Sequence, residues 1–238
     1  MRSTPFRICV FQAPFPAAAR LAHVEIVTGD TKVVEKGSGD GLFVNTSGLG
    51  LVPDGVELSA NRARPGDRVL LSGSLGEHGI TILAQREGLE FESPLESDSA
   101  ALHSLVADML RVTRGFRCFR DPTRGGLSSA LNEIAAQSRV GIELEERAIP
   151  LRVEVRGACE LLGLDPLYVA NEGKLIAIVE PSSAEEVLAV MRRHPLGAKA
   201  EIIGTVAESH PGVVTLRTDL GTTRIVDMLA GDQLPRIC

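Results

Sequence analysis

Strand-like and helical runs alternate along most of this chain, and that alternation predicts a mixed α/β (α+β) fold in preference to a helical bundle or a β-sandwich. Residues 24–27 (Val-Glu-Ile-Val), 42–46 (Leu-Phe-Val-Asn-Thr) and 68–72 (Arg-Val-Leu-Leu-Ser) read as strands, the last running into a glycine-rich turn. Residues 102–113 place Leu102, Leu105, Val106, Met109 and Leu110 at the spacing of one buried helix face. Residues 127–136 repeat the pattern with Leu127, Ala130, Leu131, Ile134 and Ala135. A strand at 175–179 follows. Ser183-Ala184-Glu185-Glu186 then reads as a capping box opening a helix to about Arg193, which Pro195 and Gly197 stop. Three short strands, at 201–206, 213–217 and 222–226, close the series. The turn Pro65-Gly66-Asp67 marks a candidate domain break near residues 61–66.

With 238 residues the chain has room for one large domain or two small ones, and a chain of this size buries about 70% of its unfolded surface. A net charge of −6 argues against a general nucleic-acid binder, which needs a basic face to displace counterions from phosphates. The four cysteines, Cys9, Cys118, Cys159 and Cys238, have neither zinc-site spacing nor the density of a secreted disulfide scaffold, which fits a reducing cytoplasm. Cys118 and Cys159 lie in or beside apolar helical patterns and are expected to be structural. No apolar run approaches the ~20 residues that cross a bilayer, so no membrane association is expected. The apolar stretch at residues 7–19 is short and broken by Gln12, Pro14 and Pro16, which argues against a signal peptide.

Five segments carry chemistry. In Thr28-Gly29-Asp30-Thr31-Lys32 a glycine, a carboxylate suited to Mg2+, a hydroxyl and a phosphate-seeking ammonium stand together, without P-loop spacing; a polar hairpin turn is the other reading. In Asp121-Pro122-Thr123-Arg124-Gly125-Gly126 the N–H groups of the following helix face an anion site, Arg124 offers a bidentate contact, and Gly125 and Gly126 let a ligand approach the backbone. The alternative there is a plain N-cap by Asp121 or Thr123. In Gly73-Ser74-Leu75-Gly76-Glu77-His78-Gly79 the lone His78 reads as a hydrogen-bonded structural residue. Glu172, in Asn171-Glu172-Gly173-Lys174, is a proton acceptor if it lies in a cleft and a solvated turn residue if it does not. Finally, Pro235-Arg236-Ile237-Cys238 puts a thiol behind a stiff lead, with Arg236 favouring the thiolate; a frayed terminus is the alternative.

Together, Val27-Thr28-Gly29-Asp30-Thr31-Lys32-Val33-Val34, Ser72-Gly73-x-x-Gly76-Glu77-His78-Gly79, Asp121-Pro122-Thr123-Arg124-Gly125-Gly126-Leu127, Asn171-Glu172-Gly173-Lys174 and the PRIC ending resemble, in order and spacing, the HypE family of hydrogenase maturation proteins within the PurM-like ATP-dependent superfamily. The resemblance covers about residues 17–238. It implies an N-terminal α/β domain that dimerises around ATP and a C-terminal α/β domain beside it. It also implies a reaction in which a HypF-type carbamoyltransferase loads a carbamoyl group on Cys238 and ATP drives its dehydration to a thiocyanate. The cyanide then passes to the iron of a [NiFe] hydrogenase through a HypC–HypD scaffold. In that scheme Cys238 carries the substrate, Glu172 is the base, and Asp30 holds Mg2+. Gly29, Thr31 and Lys32 contact ATP, Arg124, Gly125 and Gly126 hold an anionic group, and Pro235, Arg236 and Ile237 guide the thiol.

The pattern departs from the family at the front, where the family has further aspartate motifs ahead of Thr28 and residues 1–16 resemble no part of it. The expected organisation is therefore a remnant of the N-terminal domain at 1–62, a C-terminal domain at 63–230 and a tail at 231–238, with impaired ATP binding. Two other readings stay open at this point: a partner-binding module without catalysis, and another PurM-like ATP-dependent enzyme.

Overall fold

The computed structural model describes residues 14–35, 37–38, 43–88 and 95–229, in two units, 1–56 and 57–238. Among the described residues of the first unit, α1 (Pro14–Leu21) is followed by irregular chain. The strands expected at 24–27 and 42–46 do not form at the described positions, and Leu42 lies outside them. The reason is physical. A strand needs a ladder partner for its N–H and C=O groups and a surface for one face to bury, and β-branched composition supplies neither. Val24, Ile26, Val27, Phe43 and Val44 are all exposed.

The second unit is built on a seven-stranded sheet ordered β2-β4-β1-β5-β3-β6-β7. Its strands are β1 (Arg68–Leu71), β2 (Phe116–Arg120), β3 (Gly141–Glu145), β4 (Ile176–Val179), β5 (Glu201–Ala207), β6 (Val214–Arg217) and β7 (Thr223–Ile225). Pairing is antiparallel except between β3 and β6. The helices are α2 (Glu77–Glu87), α3 (His103–Val112), α4 (Gly126–Ser138), α5 (Val153–Leu162) and α6 (Ala184–Arg193). The central strands are covered on both faces, which is why they read as unbroken apolar runs. Val69, Leu71, Ile176 and Ile178 pack with Leu127, Leu131 and Ile134 of α4. Leu70, Ala177 and Val179 pack on the opposite side with Leu105 and Met109 of α3 and Val187, Leu188 and Met191 of α6. A third cluster, Ile80, Val155, Ala158, Cys159 and Val169, joins α2 to α5.

Two local expectations need correction. Ser183 does not close a capping box: a 3-10 turn (Pro181–Ser183) runs directly into α6 and holds Ser183 in a helical conformation, φ −106° and ψ −7°, instead of the extended one a cap requires. Its hydroxyl donates instead to Glu180 (3.1 Å) and Thr113 (3.2 Å). Cys118 sits on β2 and not in a helical pattern, whereas Cys159 is helical, in α5. Both are buried and free, and burial pushes each thiol up to about 11; Arg120 opposes the shift at Cys118, and Asp165 and Glu160 add to it at Cys159. Two pH units above the ordinary value cut the thiolate fraction about 100-fold. Iodoacetamide at pH 8 is therefore expected to leave both unlabelled in the native chain and to label both in denaturant, as peptide mass mapping will read.

Candidate functional site

β1 ends at Leu71 opposite Ile176, where β4 begins, and β2 ends at Arg120 opposite the same residue. The three segments 72–79, 121–126 and 171–175 therefore emerge side by side at one end of the sheet, although they lie about 50 residues apart in the chain.

Asn171 ties them together. Its side chain is buried; Oδ1 accepts the Gly76 N–H (2.8 Å), and Nδ2 donates to the carbonyls of Pro122 (3.0 Å) and Val169 (2.9 Å). Its own N–H donates to Pro122 O (3.1 Å), and Gly79 N–H reaches Ala170 O (3.1 Å). Sequence reasoning passed over this residue in favour of its neighbour. The available signal was that Asn171 alone in its segment offers both a donor and an acceptor to three loops.

Glu172 is half-buried, and its N–H donates to Asp98 Oδ1 at 3.0 Å. Lys174 is pulled inward. Its ammonium lies 3.1 Å from Glu77 Oε2 and 3.0 Å from Asp98 Oδ2, with 10% of its side chain exposed. Ser74 Oγ donates to Glu77 Oε1 (2.9 Å), and Arg152 Nη1 stands 3.8 Å from the same oxygen. Ser74, Glu77, Asp98, Arg152 and Lys174 wall a cleft of about 380 Å³, with Gly173 and not Glu172 lining it from the 171–174 loop. His78 is a hydrogen-bonded structural residue, as expected, with Nδ1 2.8 Å from Ser97 Oγ.

The N-cap reading of the 121–126 segment does not hold. Asp121 and Thr123 bond to each other (2.8 Å) and neither caps α4, whose N-cap is Gly125 at φ 73° with no side-chain capping bond. Nor do the glycines leave room for a ligand at their Cβ positions. A methyl group at Gly126, φ 62°, would stand 2.5 Å from Leu167 O, and one at Gly125 would meet Ser129 Oγ. Both glycines serve packing of the chain on itself. Arg124 is exposed at the mouth of the same turn.

The chain leaving β7 is pinned along α4. Asn132 Nδ2 donates to Val226 O (2.8 Å), Ser128 Oγ to Asp227 O, and Leu229 N–H to Ser129 Oγ (3.4 Å). Cys238, Pro235, Arg236 and Ile237 lie outside the described residues.

In the other unit, Gly29, Asp30, Thr31 and Lys32 lie on exposed irregular chain, and Asp30 Oδ1 accepts the Thr31 N–H at 2.8 Å. One oxygen of Asp30 is thereby oriented by its own loop. One carboxylate and an ammonium fit a Mg2+–phosphate group, because Mg2+ keeps most of its waters and takes one or two carboxylates beside the phosphates. Among the described residues no helix is long and apolar enough to cross a membrane.

Residues 64–217 match the family model for the AIR synthase related protein, C-terminal domain. The chain is 62% identical over 222 residues to carbamoyl dehydratase HypE of Azotobacter vinelandii, an alignment covering 93% of this chain and 65% of that protein. It thus spans about two thirds of the length of the curated relatives it matches. A crystal structure of hydrogenase maturation protein HypE in complex with ATP superposes with a TM-score of 0.91 at 49% identity, covering 95% of this chain and 69% of that one. The crystal structure of a HypE–HypF complex gives 0.90 at 43% identity, covering 95% and 74%. With its seven-stranded AIR synthase related domain and its convergent loops, the chain belongs to the HypE family of hydrogenase maturation proteins, within the PurM-like superfamily.

Proposed function

We propose that the chain acts in the carbamoyl dehydratase reaction of HypE proteins, in the cytoplasm, with its own Cys238 as the carrier. The observation that carries this reading is the 62% identity to a carbamoyl dehydratase HypE along 93% of the chain. The thiol takes a carbamoyl group from a HypF-type carbamoyltransferase, a partner supported by the solved HypE–HypF complex of a relative. Dehydration converts S–C(=O)NH2 to S–C≡N: the carbonyl oxygen leaves and two protons leave nitrogen. ATP, which a solved relative binds, supplies the phosphoryl group that turns this oxygen into a leaving group. Glu172 takes a proton from nitrogen, and its half-buried position on a loop fixed by Asn171 suits that task. Asp30 and Lys32 face Mg2+ and phosphate, with Gly29 and Thr31 shaping their loop, and Arg124 offers an exposed guanidinium to an anionic group. Pro235, Arg236 and Ile237 lead the thiol in. The cyanide passes on to a HypC–HypD scaffold for a [NiFe] hydrogenase, and a homodimer is the expected assembly.

The test separates loading from dehydration. With carbamoyltransferase, carbamoyl phosphate and Mg2+–ATP, the Cys238 peptide is expected to appear in mass spectra as carbamoyl and, where the chain is joined to the family's N-terminal aspartate motifs, then as thiocyanate. Glu172→Gln is expected to load normally and to form thiocyanate about 10² to 10⁴-fold more slowly. Normal conversion by that variant would return Glu172 to a solvated-turn role, and an unmodified Cys238 in the wild type would overturn the functional reading itself.

A further inference from the structure

We propose that Asp98 is a positioning residue: a buried carboxylate, on a strap far from the family motifs in sequence, that fixes the backbone from which Glu172 projects. The importance of that role for turnover rests on Glu172 being the base; the positioning itself does not.

The strap, residues 95–100, crosses the 171–174 loop at contact distance. A methyl group at Gly173 would run into the Asp98 carbonyl and stand 2.9 Å from Ala100 N, so only glycine lets the two segments meet. The Asp98 side chain is 1% exposed. A carboxylate buried to that degree needs partners that compensate its desolvation. Oδ1 accepts the Glu172 N–H (3.0 Å), while Oδ2 is ion-paired with the Lys174 ammonium (3.0 Å) and has no hydrogen-bond partner among the described residues. One carboxyl group therefore grips the loop at 172 and again at 174.

Lys174 already has a carboxylate partner in Glu77 (3.1 Å), which Ser74 orients, so charge balance for Lys174 does not by itself call for Asp98. The bond unique to Asp98 is the one to the Glu172 N–H. With Asn171 held by Gly76, Pro122 and Val169 on one side and Lys174 held by two carboxylates on the other, both flanks of Glu172 are fixed. The strap is itself anchored through Ser97 Oγ to His78 Nδ1 (2.8 Å), and within it Ser99 N–H donates to Ser97 Oγ (3.2 Å). A base on such a loop is held for proton removal without a search over backbone conformations.

Amide hydrogen exchange read by NMR on the whole chain tests this directly. In the wild type the Glu172 amide is expected to exchange at least about 100-fold more slowly than an unstructured amide. Exchange at the unstructured rate overturns the proposal before any variant is made. Asp98→Ala is expected to speed Glu172 exchange about 10-fold or more and to slow thiocyanate formation by a similar factor, with carbamoyl loading unchanged. Asp98→Asn keeps one acceptor but turns an NH2 donor toward the Lys174 ammonium, so it is expected to recover the Glu172 protection and the dehydration rate only in part. Unchanged Glu172 exchange in Asp98→Ala overturns the positioning role. Normal dehydration by Glu172→Gln instead sinks the base assignment and leaves the exchange result standing.

Discussion

Cys238→Ala is expected to end carbamoyl loading of the chain completely and to leave its thermal midpoint unchanged. Carbamoyl transfer to a side chain needs a nucleophile, and the thiolate is the form that attacks. Of the other three cysteines, Cys118 and Cys159 are buried, with burial holding each thiol near 11, and Cys9 lies outside the described residues and the family resemblance. The three packed clusters of the second unit are built from residues between Ala60 and Val226, and a chain terminus tolerates a change of this kind. Intact-protein mass spectrometry after incubation with the carbamoyltransferase decides the matter. A carbamoyl adduct persisting on the variant would sink the carrier assignment.

Asn171→Ala is expected to be the most damaging single change at the site that touches no reacting atom. It strands the Gly76 N–H and the Val169 carbonyl in a buried setting and removes one of two donors to Pro122 O. Each orphaned buried group costs about 1–3 kcal/mol, so a loss of about 3 kcal/mol is expected. For a domain of this size that lowers the thermal midpoint by about 6–12 °C. Asn171→Asp is expected to do no better, because a carboxylate can still accept from Gly76 but cannot donate to Pro122 or Val169. A calorimetric loss under about 1 kcal/mol for the alanine variant would show that the loops hold together without their shared side chain.

The elements legible in the sequence were those whose burial is one-sided and long or two-sided and continuous. The faces of α3 and α4 repeat over about three turns, β1 is apolar after Arg68, and β4 is apolar throughout. Phe116-Arg117-Cys118-Phe119-Arg120 passed unread as a strand because two of its five residues are arginines. Among the described residues it is an edge strand paired only with β4, and its cations are met by the adjacent Asp121 and by Asp67, Glu180 and Glu133, three partners that no local window contains. Gly141-Ile142-Glu143-Leu144-Glu145 was lost in the same way, as a short strand whose register depends on β5 and β6. Conversely, 24–27 has the composition of a strand and no ladder. Within the site, the motif loops were visible one at a time. Their convergence was not, because it rests on strand order, and neither was Asp98, which reaches Glu172 across 74 residues.

The pinning of residues 226–229 on α4 sets a local concentration. Nine residues, 230–238, separate Leu229 from the terminal sulfur, a contour of at most about 32 Å at ~3.6 Å per residue. A thiol confined to a sphere of that radius is present at about 10 mM or more for any acceptor inside it, without any contribution from affinity. An external thiol would have to be supplied at about that level to compete for the same electrophile. Freeing the root by Ser128→Ala and Asn132→Ala would lengthen the tether by only a few residues and dilute the sulfur a few-fold, so the anchor acts on encounter frequency while the chemistry at the sulfur stays the same.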